Sequence, residues 1–204
     1  MKTEETENKV SEPSTEYGKY SYADYLTWQK DEMVEIIKGK VFKPAAAAAP
    51  RRIHQKVSLK ISSALYQFLQ GKPCEVYTAP FDVRLPVKSI RNEDIFTVVQ
   101  PDICVVCDRS KLDDAGCIGA PDLIIEILSP GSNRKELKYK YEVYEESGVK
   151  EYWVIQPTEQ TLLIYTLTTG KYVPSRLFSP GDIVSSSCIE GFSLDLEEVF
   201  QDLD

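Results

Sequence analysis

The sequence predicts an α/β (α+β) domain built on one mixed β-sheet with helices packed against it. Three observations carry this. The elements run strand, helix, several strands, helix, several strands, which is the order of a sheet covered by helices. Residues 51–70 and 133–147 have apolar side chains at helical spacing. The run DLIIEIL, Asp122 to Leu128, is apolar enough to be a strand buried on both faces, apart from one acid in its middle.

The chain has 204 residues, 42% of them hydrophobic and 10% aromatic, which suits a single domain with a sizeable core. No apolar run approaches the ~20 residues of a membrane helix, and the first residues lack the apolar segment of a signal peptide, so a soluble cytoplasmic protein is expected. The net charge of -8 argues against a nucleic-acid partner until it is located. Residues 1–16 hold five acids and two lysines, and residues 195–204 hold five acids and no base, so the body between them is neutral.

Taken in order, residues 1–16 are polar without apolar periodicity and predict a disordered acidic tail, with one folded domain over 17–200. Ser21 can cap a short helix, Tyr22 to Gln29. Met33 to Lys43 reads as two short strands turning at Lys38-Gly39. The segment KPAAAAAP reads as a loop, because Pro44 and Pro50 bracket too few alanines to sustain a helix. From Arg51 to Gln70, Ile53, Val57, Ile61, Ala64, Leu65 and Phe68 mark one face of a long helix, stopped by Gly71 and Pro73. Strands follow at Glu75 to Thr78, Phe81 to Leu85, Thr97 to Cys107 with a break at Pro101, and Asp122 to Leu128, with a polar loop, Asp108 to Ala120, before the last. Asn133 to Ser147 is a helix with Leu137, Tyr141 and Tyr144 inward, ended by Gly148. Glu151 to Gln156 and Thr161 to Thr166 form a hairpin, and Lys171 to Phe178 pairs beyond it. The aromatics of KYKYEVYEE and Trp153 are assigned to core packing.

Five scattered cysteines do not resemble a disulfide framework, and reduced thiols are expected. Cys104 and Cys107 form a C-x-x-C whose members point to opposite faces of a strand, and with one histidine in the chain no second pair completes a zinc site.

The chemistry lies with the acids. Alternation puts Asp122, Ile124, Glu126 and Leu128 on one face and Leu123, Ile125 and Ile127 on the other. A buried carboxylate must be protonated, paired or metallated, so Glu126 needs a partner. Asp102 opens a neighbouring strand directly after a proline. Two strands presenting carboxylates at one end of a sheet supply ligands for Mg²⁺ or Mn²⁺. The bland alternative is that Asp102 caps a turn and Glu126 pairs with a lysine or arginine. On the next helix Lys140 stands in one column with Glu136 and Tyr144, where it could orient or deprotonate a metal-activated water; Lys135 and Lys138 compete for that role. Arg51, Arg52, His54 and Lys56 cluster at the start of the long helix and form a candidate phosphate-contact edge. His54 lies beside that helix's apolar stripe and is open to a structural role as well.

The order Pro101-Asp102, then APDLIIEILSPG, then Glu136-x-x-x-Lys140-x-x-x-Tyr144, then GVKEYWVI resembles the Uma-two family of nucleases with a restriction-endonuclease-like fold. SYADYL, VEIIKGKVF, Ile53-His54-Gln55 and SPGDIVSSSCIEGFSLDLEEVF extend the resemblance over roughly residues 20–200. It implies the PD-(D/E)XK class: Asp102 and Glu126 hold a metal, and a lysine assists. The usual lysine position, two residues after the glutamate, is Leu128 here, and the family pattern carries the role to Lys140. Glu35 corresponds to an earlier acid that can help bind metal, although Lys38 and Lys40 stand where relatives read EIIDGE. His54 matches a histidine of the family.

The expected function is Mg²⁺- or Mn²⁺-dependent hydrolysis of DNA by an endonuclease, with Asp102, Glu126, Lys140 and Glu35 as catalytic residues and Arg51, Arg52 and His54 contacting substrate. One small domain presents one active site, so cutting both strands would take a homodimer. The rivals are a catalytically silent nucleic-acid-binding or regulatory module on the same fold and a hydrolase of another phosphate ester.

Overall fold

The computed structural model describes residues 18–28, 34–42, 52–129 and 134–203, without the side chains of 134 and 135. The acidic tail, the alanine-rich loop, Arg51, and the helix start at Asn133 lie outside the described residues.

The elements in chain order are α1 (Tyr22–Thr27), β1 (Glu35–Ile37), β2 (Lys40–Phe42), α2 (Arg52–Leu69), β3 (Glu75–Thr78), β4 (Val83–Arg84), β5 (Val98–Val99), β6 (Ile103–Val106), β7 (Leu112–Asp113), β8 (Gly116–Ile118), β9 (Leu123–Ile127), α3 (Arg134–Ser147), β10 (Glu151–Gln156), β11 (Thr161–Thr168), β12 (Lys171–Pro174), β13 (Ile183–Ser185), β14 (Ser193–Asp195) and α4 (Leu196–Phe200). The mixed α and β class expected from the sequence holds.

The main sheet has the order β12-β11-β10-β9-β6-β3. Its centre is the parallel pair β9 and β10, both almost entirely buried, as expected for a strand covered on two faces. Leu123, Ile125 and Ile127 face α2, whose Val57, Ile61, Leu65 and Leu69 recur every fourth residue, and the same core takes in Val199 and Phe200 of α4. Ile124 faces the other way, toward Val143 and Tyr144 of α3. Tyr141 and Tyr144 of α3 contact Tyr165 and Tyr152 at 5.0 and 5.1 Å, and Trp153 is fully buried, so the aromatics here are core.

The expectation of one sheet is corrected. A second six-stranded sheet, β2-β1-β5-β4-β8-β7, closes over the α3 side, and β13 and β14 form a separate pair. Proline lacks the N–H a ladder needs, and at Pro101 the chain changes sheets: β5 joins the second sheet and β6 the first. The expected polar loop between Asp108 and Ala120 contains the β7–β8 hairpin, too short and polar to leave a periodic pattern. The Lys38-Gly39 turn is as expected, with φ of 50° and 72°. A Cβ at Gly39 would meet the Gly18 carbonyl oxygen at 2.4 Å, so this contact demands glycine.

The expectation of reduced thiols fails at Cys74 and Cys107, which form a disulfide. The antiparallel register pairs Glu75 with Val106 and so sets 74 opposite 107. Cys104, Cys117 and Cys188 are free. Among the described residues no helix is long and apolar enough to cross a membrane.

Candidate active site

Glu126 finds its partners where the two sheets meet α3. The pairing Ile103↔Ile125, continued one step, sets Asp102 opposite Glu126 at the C-terminal end of β9. Glu35 arrives from β1 of the second sheet, positioned by the Gln100 backbone N–H, which donates to its Oε1 at 2.7 Å. Lys140 descends from α3 between them, its Nζ 3.0 Å from Oε1 of Glu35, 3.0 Å from Oε1 of Glu126 and 3.7 Å from Oε1 of Glu136. Tyr144, one turn on, donates its hydroxyl to Glu126 Oε1 at 2.8 Å. The column Glu136, Lys140, Tyr144 therefore serves one carboxylate cluster, and Tyr144, expected to pack inward, also hydrogen-bonds within it.

This cluster is buried: Glu35 and Glu126 are each 7% exposed and Lys140 5%. Burial alone would strip the proton from Lys140, but the charges of Glu126, Glu35 and Glu136 outweigh it and hold its pKa well above the ordinary lysine value. The surrounding carboxylates thus favour the charged form of Lys140. Two of its three N–H donors are committed, and the third faces Glu136 across a gap too long for a hydrogen bond.

Burial pushes the Glu126 carboxyl above its ordinary range, opposed by Lys140 and reinforced by the charges of Asp102 and Glu35. The carboxylates outnumber their cations, an imbalance that a divalent cation would relieve. Asp102 and Glu126 are the oxygen donors able to hold one. Among the described residues no group of three or more His, Cys, Asp or Glu is set to hold a metal. A two-carboxylate site completed by water suits Mg²⁺, which sheds its hydration shell reluctantly, and on that basis the residues fit.

His54 reaches the site from α2, with Nε2 3.1 Å from Asp102 Oδ1, while the Ile127 N–H donates to Asp102 Oδ2 at 2.7 Å. Burial would lower its pKa, but the Asp102 hydrogen bond and charge, with Glu126 and the Ile127 backbone, raise it instead. Its Nδ1 is buried without a partner among the described residues. Of the other members of the expected phosphate edge, Arg51 lies outside the described residues, and Arg52 and Lys56 turn elsewhere. Arg52 is exposed and reaches the Leu203 carbonyl at 3.4 Å, and Lys56 donates to the Asp202 carbonyl. Lys38, one of the two lysines that depart from the family pattern near Glu35, pairs with Glu146 at 2.8 Å. Lys138 lies exposed, 3.8 Å from Glu142.

A model of the Uma2 family, described as "Putative restriction endonuclease", matches residues 22–197. The uncharacterized protein slr1290 of Synechocystis sp. is 24% identical over 156 residues, covering 75% of this chain and 77% of its own. In fold, the chain is similar to the crystal structure of "a putative nuclease belonging to DUF820 from Anabaena variabilis", with a TM-score of 0.71 at 20% identity over 91% of this chain and 99% of that one.

Proposed function

The chain belongs to the Uma2 family, and on that footing we propose that it is a divalent-metal-dependent endonuclease hydrolysing DNA phosphodiester bonds. The observation that carries this is the convergence of Asp102 and Glu126, from adjacent strands, on a buried site that holds more carboxylates than cations.

Asp102 and Glu126 would hold Mg²⁺ or Mn²⁺, which when bound neutralises charge building on the phosphate and lowers the pKa of a bound water. His54 and the Ile127 N–H fix the Asp102 carboxylate by one bond to each oxygen. Tyr144 and Lys140 do the same for Glu126 Oε1, leaving Oε2 as its donor atom. Lys140, paired with Glu35, would place its positive charge beside the metal-bound water or the phosphate. Glu35 acts through Lys140. Cutting both strands of a duplex would call for two copies of the chain.

The test is cleavage of supercoiled plasmid, linear duplex and single-stranded DNA with Mg²⁺, Mn²⁺ or EDTA. Wild type is expected to cut only with metal, Glu126→Ala not at all, and Lys140→Ala ~100-fold or more slowly. Failure to cut any nucleic acid with either metal would overturn the proposal in favour of a silent binding module.

A further inference from the structure

A cavity of about 370 Å³ lies beside the carboxylate cluster and has different chemistry. Tyr77 and Phe81 in its wall stack on each other with centroids 4.2 Å apart and planes within 8°, an aromatic wall on which a further flat ring could continue the stack. Asp82 Oδ1 accepts from Tyr25 Oη at 2.9 Å and from Gln100 Nε2 at 2.7 Å, while its Oδ2 is unengaged by the described residues. Gln100 Oε1 is buried without a partner among them. The turn before Gly116 also lines it, and a Cβ at Gly116 would meet the Asp82 carbonyl oxygen at 2.2 Å; the two segments are locked by the Cys117 N–H donating to that oxygen at 2.9 Å.

Surplus acceptors beside an aromatic platform describe a site for a flat ring that brings its own N–H groups. Asp82 and Asp114, with Asp113 already committed to Arg84, keep phosphate out of the cavity itself. The cavity also touches the carboxylate cluster twice through the backbone. Gln100 lends its side chain to the cavity and its N–H to Glu35. The Ala79 N–H, next to Pro80 in the cavity wall, donates to the Asp102 carbonyl at 3.1 Å.

We infer that this cavity is a subsite for a nucleobase carrying an exocyclic amino group, from an unpaired nucleotide next to the phosphate that is cut. This rests on the nuclease reading. A base within a duplex cannot present a face to Tyr77 and Phe81, so the nucleotide enters single-stranded or flipped out. Cytosine, adenine and guanine each bring an amino donor to Asp82 Oδ2, whereas thymine sets carbonyls against it.

The experiment measures binding of deoxycytidine, deoxyadenosine, deoxyguanosine and thymidine to the full chain in EDTA by saturation-transfer NMR, in parallel with cleavage of short homopolymeric DNA strands. The amino-bearing nucleosides are expected to bind roughly tenfold more tightly than thymidine. Asp82→Asn should erase that preference, and Phe81→Leu should weaken all four. The wild-type ranking decides the matter even if Phe81→Leu does not fold. Equal binding of all four, no binding, or a preference that survives Asp82→Asn overturns the subsite. Spermidine is measured alongside the nucleosides, and its preferential binding overturns the subsite in favour of an organic cation. Cleavage without base preference removes the subsite and leaves the nuclease; amino-selective binding by a protein that cuts nothing does the reverse.

Discussion

Lys140→Met removes one positive charge from the carboxylate cluster and keeps most of the side chain's volume. Nζ lies 3.0 Å from carboxylates of both Glu35 and Glu126, whose side chains are 9% and 10% exposed, so water cannot take over the lost pairing. Deleting one partner of such a buried pair costs about 3–5 kcal/mol, because the other charge stays desolvated. At about 2–4 °C per kcal/mol for a chain of this size, the melting temperature in EDTA should fall by roughly 6–20 °C. Adding Glu35→Gln should recover about 1–2 kcal/mol, since the second change removes the orphaned charge left by the first. Mg²⁺ or Mn²⁺ should also restore stability, by about 2.7 kcal/mol at a hundredfold excess over Kd. Urea unfolding of the four members of the cycle, followed by circular dichroism, gives these numbers with a check that the slope is constant. A loss below about 1 kcal/mol, or strict additivity with Glu35→Gln, would refute Lys140 as the counter-ion of the cluster.

Glu126→Gln should abolish the rise in melting temperature that Mg²⁺ or Mn²⁺ gives the wild type while unfolding no earlier in EDTA; an unchanged metal response would remove Glu126 from the metal site. The Arg84 hydrogen bond holds the Asp113 carboxyl below its ordinary 3.8, so its stabilisation is complete above that value and disappears as pH falls through the depressed one. Asp113→Asn should therefore cost about 1 kcal/mol near neutral pH, a discounted figure for a half-exposed acid, with the gap closing in acid. Unfolding midpoints of the two proteins that run parallel down to acid pH would break this reasoning. Arg52→Ala should change the salt slope of DNA binding by less than one phosphate contact while speeding amide exchange in α4; a slope lower by a full unit would return Arg52 to the phosphate edge.

The long elements were legible because burial imposes a period on them. The stripe of α2 and the apolar run of β9 can be read directly, and β10 and β11 announce their hairpin. The second sheet could not be read this way. β4, β5 and β7 are two-residue strands, and two residues have no period; they exist because neighbours from distant parts of the chain supply their ladders. Pro101 was visible as a break, but a break does not say which sheet each side joins. The cysteine pair was hidden for the same reason, since the register of β3 against β6 is not written in either strand alone.

The site was legible where a residue contradicts its surroundings: an acid inside an apolar run, and a lysine in the inward column of a helix. Glu35 contradicts nothing locally and was visible only through the family resemblance. The departure at Leu128 has a physical explanation. A lysine there would lie on the same face of β9 as Glu126, approaching its carboxylate along the strand. Lys140 instead reaches Glu126 Oε1 from α3, at 3.0 Å, so the cation of this carboxylate comes from the helix and not from the strand. Leu128 is then free to be apolar, and it lines a cavity of about 210 Å³ with Leu137, Tyr141 and Leu163. The charge thus arrives from the helix while the strand position stays apolar, and Leu128→Lys should not recover the stability lost in Lys140→Met, because its amine would approach Glu126 along the strand and not from between Glu126 and Glu35.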